Sequence, residues 1–485
     1  MDADPVGRWI TEKTGVTIEV DLITGDINEK YSLMLATHSY PDFLDYGGVV
    51  MERFISEGAL IPYDEYLNED ILPNVISKYG MRNLNALRNL NDGKLYRLTA
   101  WSMGSSYLCA SAINIRHDIM QKYFGERAHT NTEFTTTEIA DMFEQYKKEN
   151  PQTADGAPIF PLTDWDAFQT DWLGRQLFGV LPLYEVSENN LLPHYFDPNY
   201  RELIKWLNGL YRNGLLDPEF AINKLDIAQS KLGSGSSIAI FSHVASMTMV
   251  NAALSEKDPE AYMFSHYNIY NESTGSKYLG YSTLGGGGLA VTKNCKDIDR
   301  AMEWIDFMNE PYTNFVAANG YEGGIWDFDE NGNVIIHNDK VEAIPEMWER
   351  YKEYGAYKYV WMLLEGRDPR FPYDDDVYKP MHAQAGIQPK ETIGRYTFWD
   401  EHNLIIPDIY NGLDPEAGSE EAIIQTAIAD IWKMAYPKMV MASSENEALA
   451  LLDETLNQIR AEGLDTFMAV VSKNYAKKKA LMYGD

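Results

Sequence analysis

The pattern of apolar and polar residues over the first fifty positions changes repeatedly between the helical period and the strand period. Apolar residues recur at helical spacing in residues 5–14, and Gly15 follows, a residue suited to the left-handed conformation that ends many helices. Residues 16–20 alternate apolar with polar side chains, which predicts a strand with one face in water. A second helix is predicted after Asp26, and a short strand over residues 43–46. This alternation predicts an α/β fold with a parallel sheet.

Three later stretches extend this pattern. Residues 107–115 are almost all small or apolar, which predicts a strand buried on both faces. Residues 238–241 predict a strand that presents Ser242 and His243 at its carboxyl end, where ligands gather in doubly wound folds. Residues 285–288 are four glycines without the lysine of a phosphate-binding loop, and we interpret them as a flexible return strand.

Size and charge narrow the class of protein. With 485 residues the chain is too long for one hydrophobic core, and two lobes are expected. A formal net charge of −32 argues against nucleic acid and against a basic membrane-binding surface, because acidic side chains repel phosphate groups. The sequence has no run of about 18 apolar residues. Cys109 and Cys295 lack the spacing of a metal or redox site, and a disulfide between them is left open.

Aromatic residues in predicted loops are the strongest functional signal. Sugars present hydroxyl groups and apolar C–H faces, and proteins bind them with planar aromatic side chains and with carboxylate or amide groups. Residues 164–166 place a tryptophan between two aspartates in a proline-bounded loop, and Trp172 follows. The tryptophans in predicted loops, each of which either contacts a ligand or pins its loop, are Trp101, Trp165, Trp326 and Trp399. Those at helical spacing, predicted to pack in the core, are Trp9, Trp206, Trp304 and Trp432.

An enzyme is the alternative from another class. Asp164 and Asp166 are conceivable as the acid and base of a glycoside hydrolase, and His243 as a general base. Two carboxylates two residues apart are more often acceptors for sugar hydroxyl groups, and a histidine without a partnered nucleophile is more often a hydrogen-bonding rim residue. The sequence has no HExxH, GxSxG, CxxC or Walker pattern. We therefore expect no catalytic residues and no cofactor.

Residues 327–333 resemble the first half of a calcium-binding EF-hand loop. Asn338 stands where the loop requires a bidentate glutamate. Turn chemistry favours a β-hairpin at this point instead. The alternative is a weak calcium site formed by Asp327, Asp329 and Asn331.

Seven short segments, taken in order, resemble the extracellular solute-binding proteins of ABC importers, in the carbohydrate-type family that includes maltose-binding protein. They are residues 12–16 (EKTGV), 33–36 (LMLA), 41–43 (PDF), 92–96 (DGKLY), 115–118 (IRHD), 321–324 (YEGG) and 463–465 (GLD). The resemblance covers nearly the whole chain. Members of this family begin with a signal peptide, a lipidated cysteine and a first core strand. None of these precedes Asp4, so we interpret Met1 as an artificial start.

The resemblance implies a type II periplasmic-binding-protein-like fold, in which two α/β lobes surround a ligand cleft and are joined by hinge strands. We assign residues 1–113 and 289–345 to the N-terminal lobe, and residues 114–288 and 346–485 to the C-terminal lobe. The implied function is to bind an extracellular oligosaccharide between the lobes and to deliver it to an ABC importer. A peptide or another small solute is the alternative ligand.

The resemblance also implies partners, location and site. We expect a monomer that acts in the periplasm or outside the cell, that meets the ABC permease subunits, and whose only membrane attachment is a lipid anchor. We expect a neutral ligand, because the chosen loops carry carboxylates and no cluster of arginine or lysine. In maltose-type proteins the positions of Trp165, His243 and Tyr46 face the sugar. The predicted ligand-binding residues are Asp45, Tyr46, Trp101, Asp164, Trp165, Asp166, Trp172, His243, Tyr281, Trp326, Arg395 and Trp399.

Overall fold

The computed structural model describes residues 5–21, 26–45, 49–99, 111–129, 133–258, 261–266, 269–275, 279–280, 284, 288–332, 334–344, 347–355, 404–405, 407–416 and 418–484. The helices and strands of residues 5–99 are α1 (Pro5–Thr14), α2 (Ile27–Thr37), β1 (Phe43–Asp45), α3 (Val49–Ser56) and α4 (Pro73–Ala86). Those of residues 111–212 are β2 (Ser111–Arg116), α5 (His117–Phe124), β3 (Phe134–Thr135), α6 (Thr136–Glu149), β4 (Leu162–Thr163), α7 (Phe168–Leu177), β5 (Leu183–Ser187), β6 (Asn190–Pro193) and α8 (Tyr200–Arg212).

The remaining elements continue in chain order. Those of residues 225–291 are α9 (Leu225–Ser234), β7 (Ala239–His243), α10 (Thr248–Ser255), β8 (Met263–His266), β9 (Ile269–Tyr270), β10 (Leu279–Gly280) and β11 (Leu289–Val291). Those of residues 298–483 are α11 (Ile298–Asn309), α12 (Pro311–Asn319), β12 (Trp326–Phe328), β13 (Val334–Ile336), α13 (Asn338–Ala343), α14 (Met347–Tyr354), β14 (Leu404–Ile405), α15 (Glu420–Val440), α16 (Glu445–Ala461) and α17 (Leu464–Tyr483).

The chain divides into two compact units. The first comprises Met1–Leu108, Ser282–Gln384 and Lys477–Asp485, and the second comprises Cys109–Tyr281 and Ala385–Ala476. The predicted lobes stay a prediction, and their bounds differ from those of the two units at residues 109–113, 282–288, 346–384 and 477–485. Among the described residues, no helix combines the length and the apolar character needed to cross a membrane.

In the first unit, strand β1 pairs antiparallel with β11 rather than with a parallel neighbour. Residues 16–21, predicted as a strand, have no regular secondary structure. Val16 and Ile18 are half-buried, which agrees with the alternation. Alternation indicates which side chains face inward, but a strand also needs a neighbouring strand for its hydrogen bonds, and the pattern does not specify one. The parallel sheet predicted from this part of the sequence is therefore wrong here. Leu44 of β1 and Ala290 of β11 belong to one cluster of buried residues, whose other members are Tyr31, Leu35, Phe54, Ala59, Leu60 and Tyr96.

Helix α4 of the first unit begins without a capping side chain of its own. Pro73 occupies its first turn, and Leu72, at the N-cap, has no side-chain oxygen. Asp306 of α11 takes this role: its carboxylate accepts hydrogen bonds from the backbone N–H groups of Asn74, at 2.8 Å, and Val75, at 3.1 Å. The same carboxylate accepts the Asn74 side-chain amide at 2.7 Å. One residue of α11 therefore satisfies the N-terminus of α4.

The second unit contains a mixed four-stranded sheet in the order β4, β7, β2, β8. β4 and β7 run parallel, and β2 pairs antiparallel with both β7 and β8. Residues 112–115 of β2 are buried, which agrees with the predicted two-sided burial of this strand. Helices α8 and α15 pack in the same unit, where Asn208 donates its amide to the carbonyl oxygens of Val440, at 3.1 Å, and Ala442, at 2.8 Å. This amide satisfies carbonyl groups left open at the end of α15.

Candidate functional site

β4 and β7 are neighbouring parallel strands of the second unit, and β7 continues to His243, beyond the end of β4. The two strands pair in parallel, with Leu162 opposite Ala239 and Thr163 opposite Ile240. The chain leaves β4 through residues 164–167 and enters α7, and it leaves β7 through a 3₁₀ turn into α10. Parallel strands that end at the same edge bring their following residues together. The predicted site residues on these two segments therefore share one sheet edge.

Asp164, the first residue after β4, is fully buried. Its Oδ1 accepts the backbone N–H of Trp165 at 2.8 Å, and its Oδ2 accepts no hydrogen bond from the described residues. Burial raises the pKa of the Asp164 carboxyl well above its ordinary value, and Asp166 adds to the rise, while the backbone N–H groups of Trp165 and Thr170 oppose it. This carboxyl therefore retains its proton to a higher pH than usual, which makes it a hydrogen-bond donor as well as an acceptor.

The loop after Asp164 is held by a single asparagine. The Asn223 side-chain amide donates to the backbone carbonyl oxygen of Asp164 at 3.0 Å. The backbone carbonyl oxygen of Asn223 accepts the backbone N–H of Asp166 at 3.1 Å. Asp166 is exposed and adopts a left-handed backbone with φ of 51°, which aspartate tolerates better than most residues. Trp165 is half-buried, and its indole N–H has no hydrogen-bond partner among the described residues. It packs against the buried residues Ala228, Leu232, Ile240, Met247, Val250, Leu254, Ala261 and Met263.

Helix α7 presents two aromatic side chains to solvent. Phe168 is 53% exposed and Trp172 is 44% exposed, and residues four apart lie on the same side of a helix. Most of the rest of α7 is buried: Thr170, Asp171, Leu173, Gly174, Arg175, Gln176 and Leu177. Phe168 and Trp172, called the aromatic face of α7 below, are therefore the large apolar side chains through which this helix meets solvent. Sequence reasoning missed Phe168, although its spacing from Trp172 was available as a signal.

The end of β7 supplies a second set of groups. Ser242 is fully buried, and its Oγ has no hydrogen-bond partner among the described residues, while its carbonyl oxygen accepts the Asn114 amide at 2.9 Å. His243 is exposed at the end of the strand, as predicted. Two apolar residues on the neighbouring segments are unusually exposed, Ile222 at 79% and Met249 at 74%, and neither was predicted. Exposed apolar surface around buried polar atoms is typical of ligand sites.

Trp326, predicted to contact a ligand from a loop, lies elsewhere. It belongs to strand β12 of the first unit, where it is fully buried and its indole N–H donates to the carbonyl oxygen of Gly320 at 2.9 Å. Its ring packs edge-on against Phe315 and Phe328. The loop assignment is therefore wrong, because Trp326 lies on a strand paired with β13, and aromatic residues of α12 and β12 enclose its ring. The predicted residues outside the described part of the chain are Tyr46, Trp101, Tyr281, Arg395 and Trp399, together with the side chain of Asp45.

The segment that resembled a calcium loop forms a hairpin. β12 pairs antiparallel with β13, and Asp329 makes the turn, its carbonyl oxygen accepting the N–H of Gly332 and its side chain the N–H of Asn331. Asp327 lies 2.9 Å from Nε2 of His337. Within the described residues, no three His, Cys, Asp or Glu side chains are grouped to hold a metal ion. Cys295 is a free thiol among the described residues. Cys109 lies outside the described part of the chain, so the disulfide between the two cysteines stays a prediction.

The architecture of two mixed α/β units recurs in solved solute-binding proteins. The alginate-binding protein AlgQ2, in a structure without calcium ion, has a TM-score of 0.66 at 15% identity, over 98% of this chain and 95% of its own. An HMO-binding, ABC-transporter-associated solute-binding protein from Bifidobacterium longum infantis has a TM-score of 0.68 at 13% identity, over 98% and 96%. The N-glycan transport solute-binding protein NgtS from Streptococcus pneumoniae has a TM-score of 0.62 at 15% identity, over 99% and 95%. These structures define the class, a periplasmic-binding-protein-like fold, and confirm the predicted fold.

The family follows from the sequence itself. The model of the bacterial extracellular solute-binding protein family matches residues 4–312. The chain belongs to this family, and the predicted resemblance is confirmed. No curated protein sequence matches the chain significantly.

Proposed function

We propose that this protein captures an oligosaccharide at the sheet edge formed by the carboxyl ends of β4 and β7. The observation that carries the proposal is the combination of the aromatic face of α7 with buried polar atoms on Asp164, Trp165 and Ser242 that have no partner among the described residues. An exposed aromatic ring suits the C–H face of a sugar, and unpartnered donors and acceptors suit its hydroxyl groups. The three solved relatives described above are named for alginate, HMO and N-glycan, which are all carbohydrates.

We further propose that the ligand is neutral. Residues 164–172 and 242–249, which form the two sides of the edge, contain three aspartates and no lysine or arginine. The whole chain has a formal net charge of −32, so an anionic sugar approaches against a repulsive field. A ligand carboxylate at this edge would also lie close to Asp166 without a compensating cation.

The protein acts outside the cytoplasm and passes its ligand to an ABC importer. Membership of the extracellular solute-binding family supports this location, and one of the structurally similar proteins is described as associated with an ABC transporter. In this role the protein binds without turnover and works as a monomer attached through a lipid anchor. The permease subunits are then its protein partners.

Calorimetric titration against a glycan panel tests the proposal. The panel contains neutral oligosaccharides, uronic-acid oligomers of matched length, and peptides. We expect binding to at least one neutral oligosaccharide, no measurable binding of peptides, and unchanged sugar when the mixture is examined by chromatography after long incubation.

Three outcomes would contradict the proposal in different ways. Tighter binding of a uronic-acid oligomer than of any neutral sugar refutes neutrality alone. Binding of peptides without any sugar refutes the ligand class. Shortened oligosaccharides after incubation would make the protein a glycoside hydrolase.

A further inference from the structure

Asp171 of α7 is a fully buried carboxylate that joins four elements of the second unit. Its Oδ1 accepts the hydroxyl of Tyr200, from α8, at 2.6 Å. Its Oδ2 accepts the indole N–H of Trp432, from α15, at 3.3 Å, and lies 3.3 Å from Nε2 of His194 in the turn after β6. A single side chain therefore fixes α7 against three neighbours.

The groups around Asp171 favour its ionised form despite its burial. Burial and Arg175 also lower the pKa of His194, so its imidazole is neutral at pH 7. Burial alone would raise the pKa of this carboxyl, but His194, Arg175 and Tyr200 outweigh burial and lower the pKa to about 2. Arg175 lies one turn along α7 and donates its Nε to the backbone carbonyl oxygen of Asp171 at 3.2 Å. A buried charge with several directional partners holds its position closely, because each displacement leaves a partner unsatisfied.

The residues on either side of Asp171 belong to the candidate site. Thr170 accepts the hydroxyl of Tyr436 at 3.1 Å, and its backbone N–H opposes the rise in the pKa of the Asp164 carboxyl. Trp172, the next residue, is part of the aromatic face of α7. Because consecutive residues on a helix are about 100° apart, the anchored direction of Asp171 sets the directions of both neighbours.

Close packing restricts the rotation of helix α7 about its own axis. A Cβ atom at Gly174 would lie 3.1 Å from Cδ1 of Leu203 on α8, so the two helices are in close contact at this point. The Tyr195 ring stacks on Trp432 with the ring centroids 4.1 Å apart, which holds the indole that donates to Asp171. The anchor is therefore itself supported by packing.

We propose that Asp171 is a positioning residue: by accepting hydrogen bonds from Tyr200 and Trp432, it sets the rotation of α7 at which Phe168 and Trp172 face a ligand. The effect on affinity rests on the proposed function, whereas the placement of Trp172 does not. Asp171 touches no ligand in this arrangement and acts through its neighbours on the helix.

The test uses the full chain labelled with 5-fluorotryptophan and observed by fluorine NMR. The Trp172 resonance is identified as the signal that disappears in Trp172→Phe. In Asp171→Asn, which preserves shape and removes the charge, we expect the Trp172 resonance to shift or broaden. We also expect affinity for the best neutral sugar of the glycan panel to fall about tenfold, because a displaced Trp172 ring makes a weaker contact with the sugar.

Asp306→Asn is the matched control. It alters another buried carboxylate that binds a neighbouring helix, in the first unit, where Asp306 accepts three hydrogen bonds. We expect this variant to lose stability without moving the Trp172 resonance. A folded Asp171→Asn protein with an unchanged Trp172 resonance would overturn the proposal, even if its stability fell.

Tyr200→Phe keeps the proposal falsifiable if Asp171→Asn does not fold. This variant removes only the hydroxyl at 2.6 Å, and we expect a smaller displacement of the same resonance. An unchanged resonance in this variant also refutes the positioning role. If no sugar of the panel binds, the proposed function fails, while the fluorine signal still decides the role of Asp171.

Discussion

Two tryptophan segments that look alike in the sequence have opposite environments in the structure. Trp165 stands between Asp164 and Asp166, and Trp326 precedes Asp327, so both combine an indole with carboxylates. Trp326 is fully buried with its N–H satisfied by Gly320, whereas Trp165 is half-buried at a sheet edge with its N–H unpartnered among the described residues. Local composition alone therefore does not distinguish a core tryptophan from a site tryptophan.

The difference arises from the strands that carry the two segments. β12 is one arm of a tight antiparallel hairpin, and Phe315 closes over its tryptophan from α12. β4 instead runs parallel to β7, and the chain must leave the sheet at its carboxyl end to reach α7. That exit exposes loop residues and the first turn of the following helix, which is where ligands bind in α/β sheets.

The largest effect is expected at the buried tryptophan. Trp326→Ala should lower the free energy of unfolding by about 3–5 kcal/mol, because it removes a large side chain from a packed core and leaves a cavity. Denaturant titration followed by circular dichroism measures this loss. The affinity of the remaining folded protein for sugar should stay unchanged. A loss below about 1 kcal/mol would mean that Trp326 is less enclosed than the structure indicates.

Trp172→Ala should give the opposite result. We expect sugar affinity to fall by about 1–3 kcal/mol, which is roughly 5- to 150-fold, because an aromatic contact is lost. The free energy of unfolding should change by no more than about 0.5 kcal/mol, since the side chain is 44% exposed. Tyr483→Ala is the control, as it truncates an aromatic residue of similar exposure, 48%, at the end of α17, where the chain belongs to the first unit. Equal affinities in the two variants would remove Trp172 from the site.

Asp164→Asn should change stability in a pH-dependent way. The pKa of Asp164 is higher in the folded protein than its ordinary value. The protonated carboxyl therefore contributes its full stabilisation below the ordinary pKa, and this stabilisation is lost as the pH rises through the raised pKa. Asparagine does not ionise. We therefore expect the variant to be more stable than the parent at pH 7, and the difference to shrink towards pH 3, in thermal unfolding measured at several pH values. A variant that is less stable at pH 7 would indicate an ionised, well-partnered Asp164.

The smallest effect is expected from a second buried tryptophan of the first unit. The indole N–H of Trp304 has no hydrogen-bond partner among the described residues, although the side chain is almost fully buried. Trp304→Phe removes this N–H, and we expect a loss of stability below about 1 kcal/mol. Trp326→Phe makes the same change in ring size but leaves the Gly320 carbonyl without its donor, which should cost about 1–3 kcal/mol. Equal losses would show that the hydrogen bond contributes nothing beyond ring volume.

The sequence predicted those features that depend on residues close together in the chain. The short strand predicted over residues 43–46 is present as β1, Phe43–Asp45, and the turn residues at Asn331 do form a hairpin. Features that depend on distant residues were missed. The exposure of Phe168 depends on how α7 packs against α8 and α15, and the burial of Trp326 depends on α12. The solute-binding family was recognisable because its short segments occur in a fixed order.

The cap that Asp306 provides for α4 has a consequence for biosynthesis. The bond joins residues 232 positions apart, and the first unit also needs the residues after Ser282 to complete its β1–β11 pair. At a synthesis rate of about 5–20 residues per second, roughly 10–50 seconds separate the appearance of α4 from that of its cap. Helix α4 is therefore synthesised well before the residue that caps it, and its N-terminus stays accessible to chaperones throughout that interval.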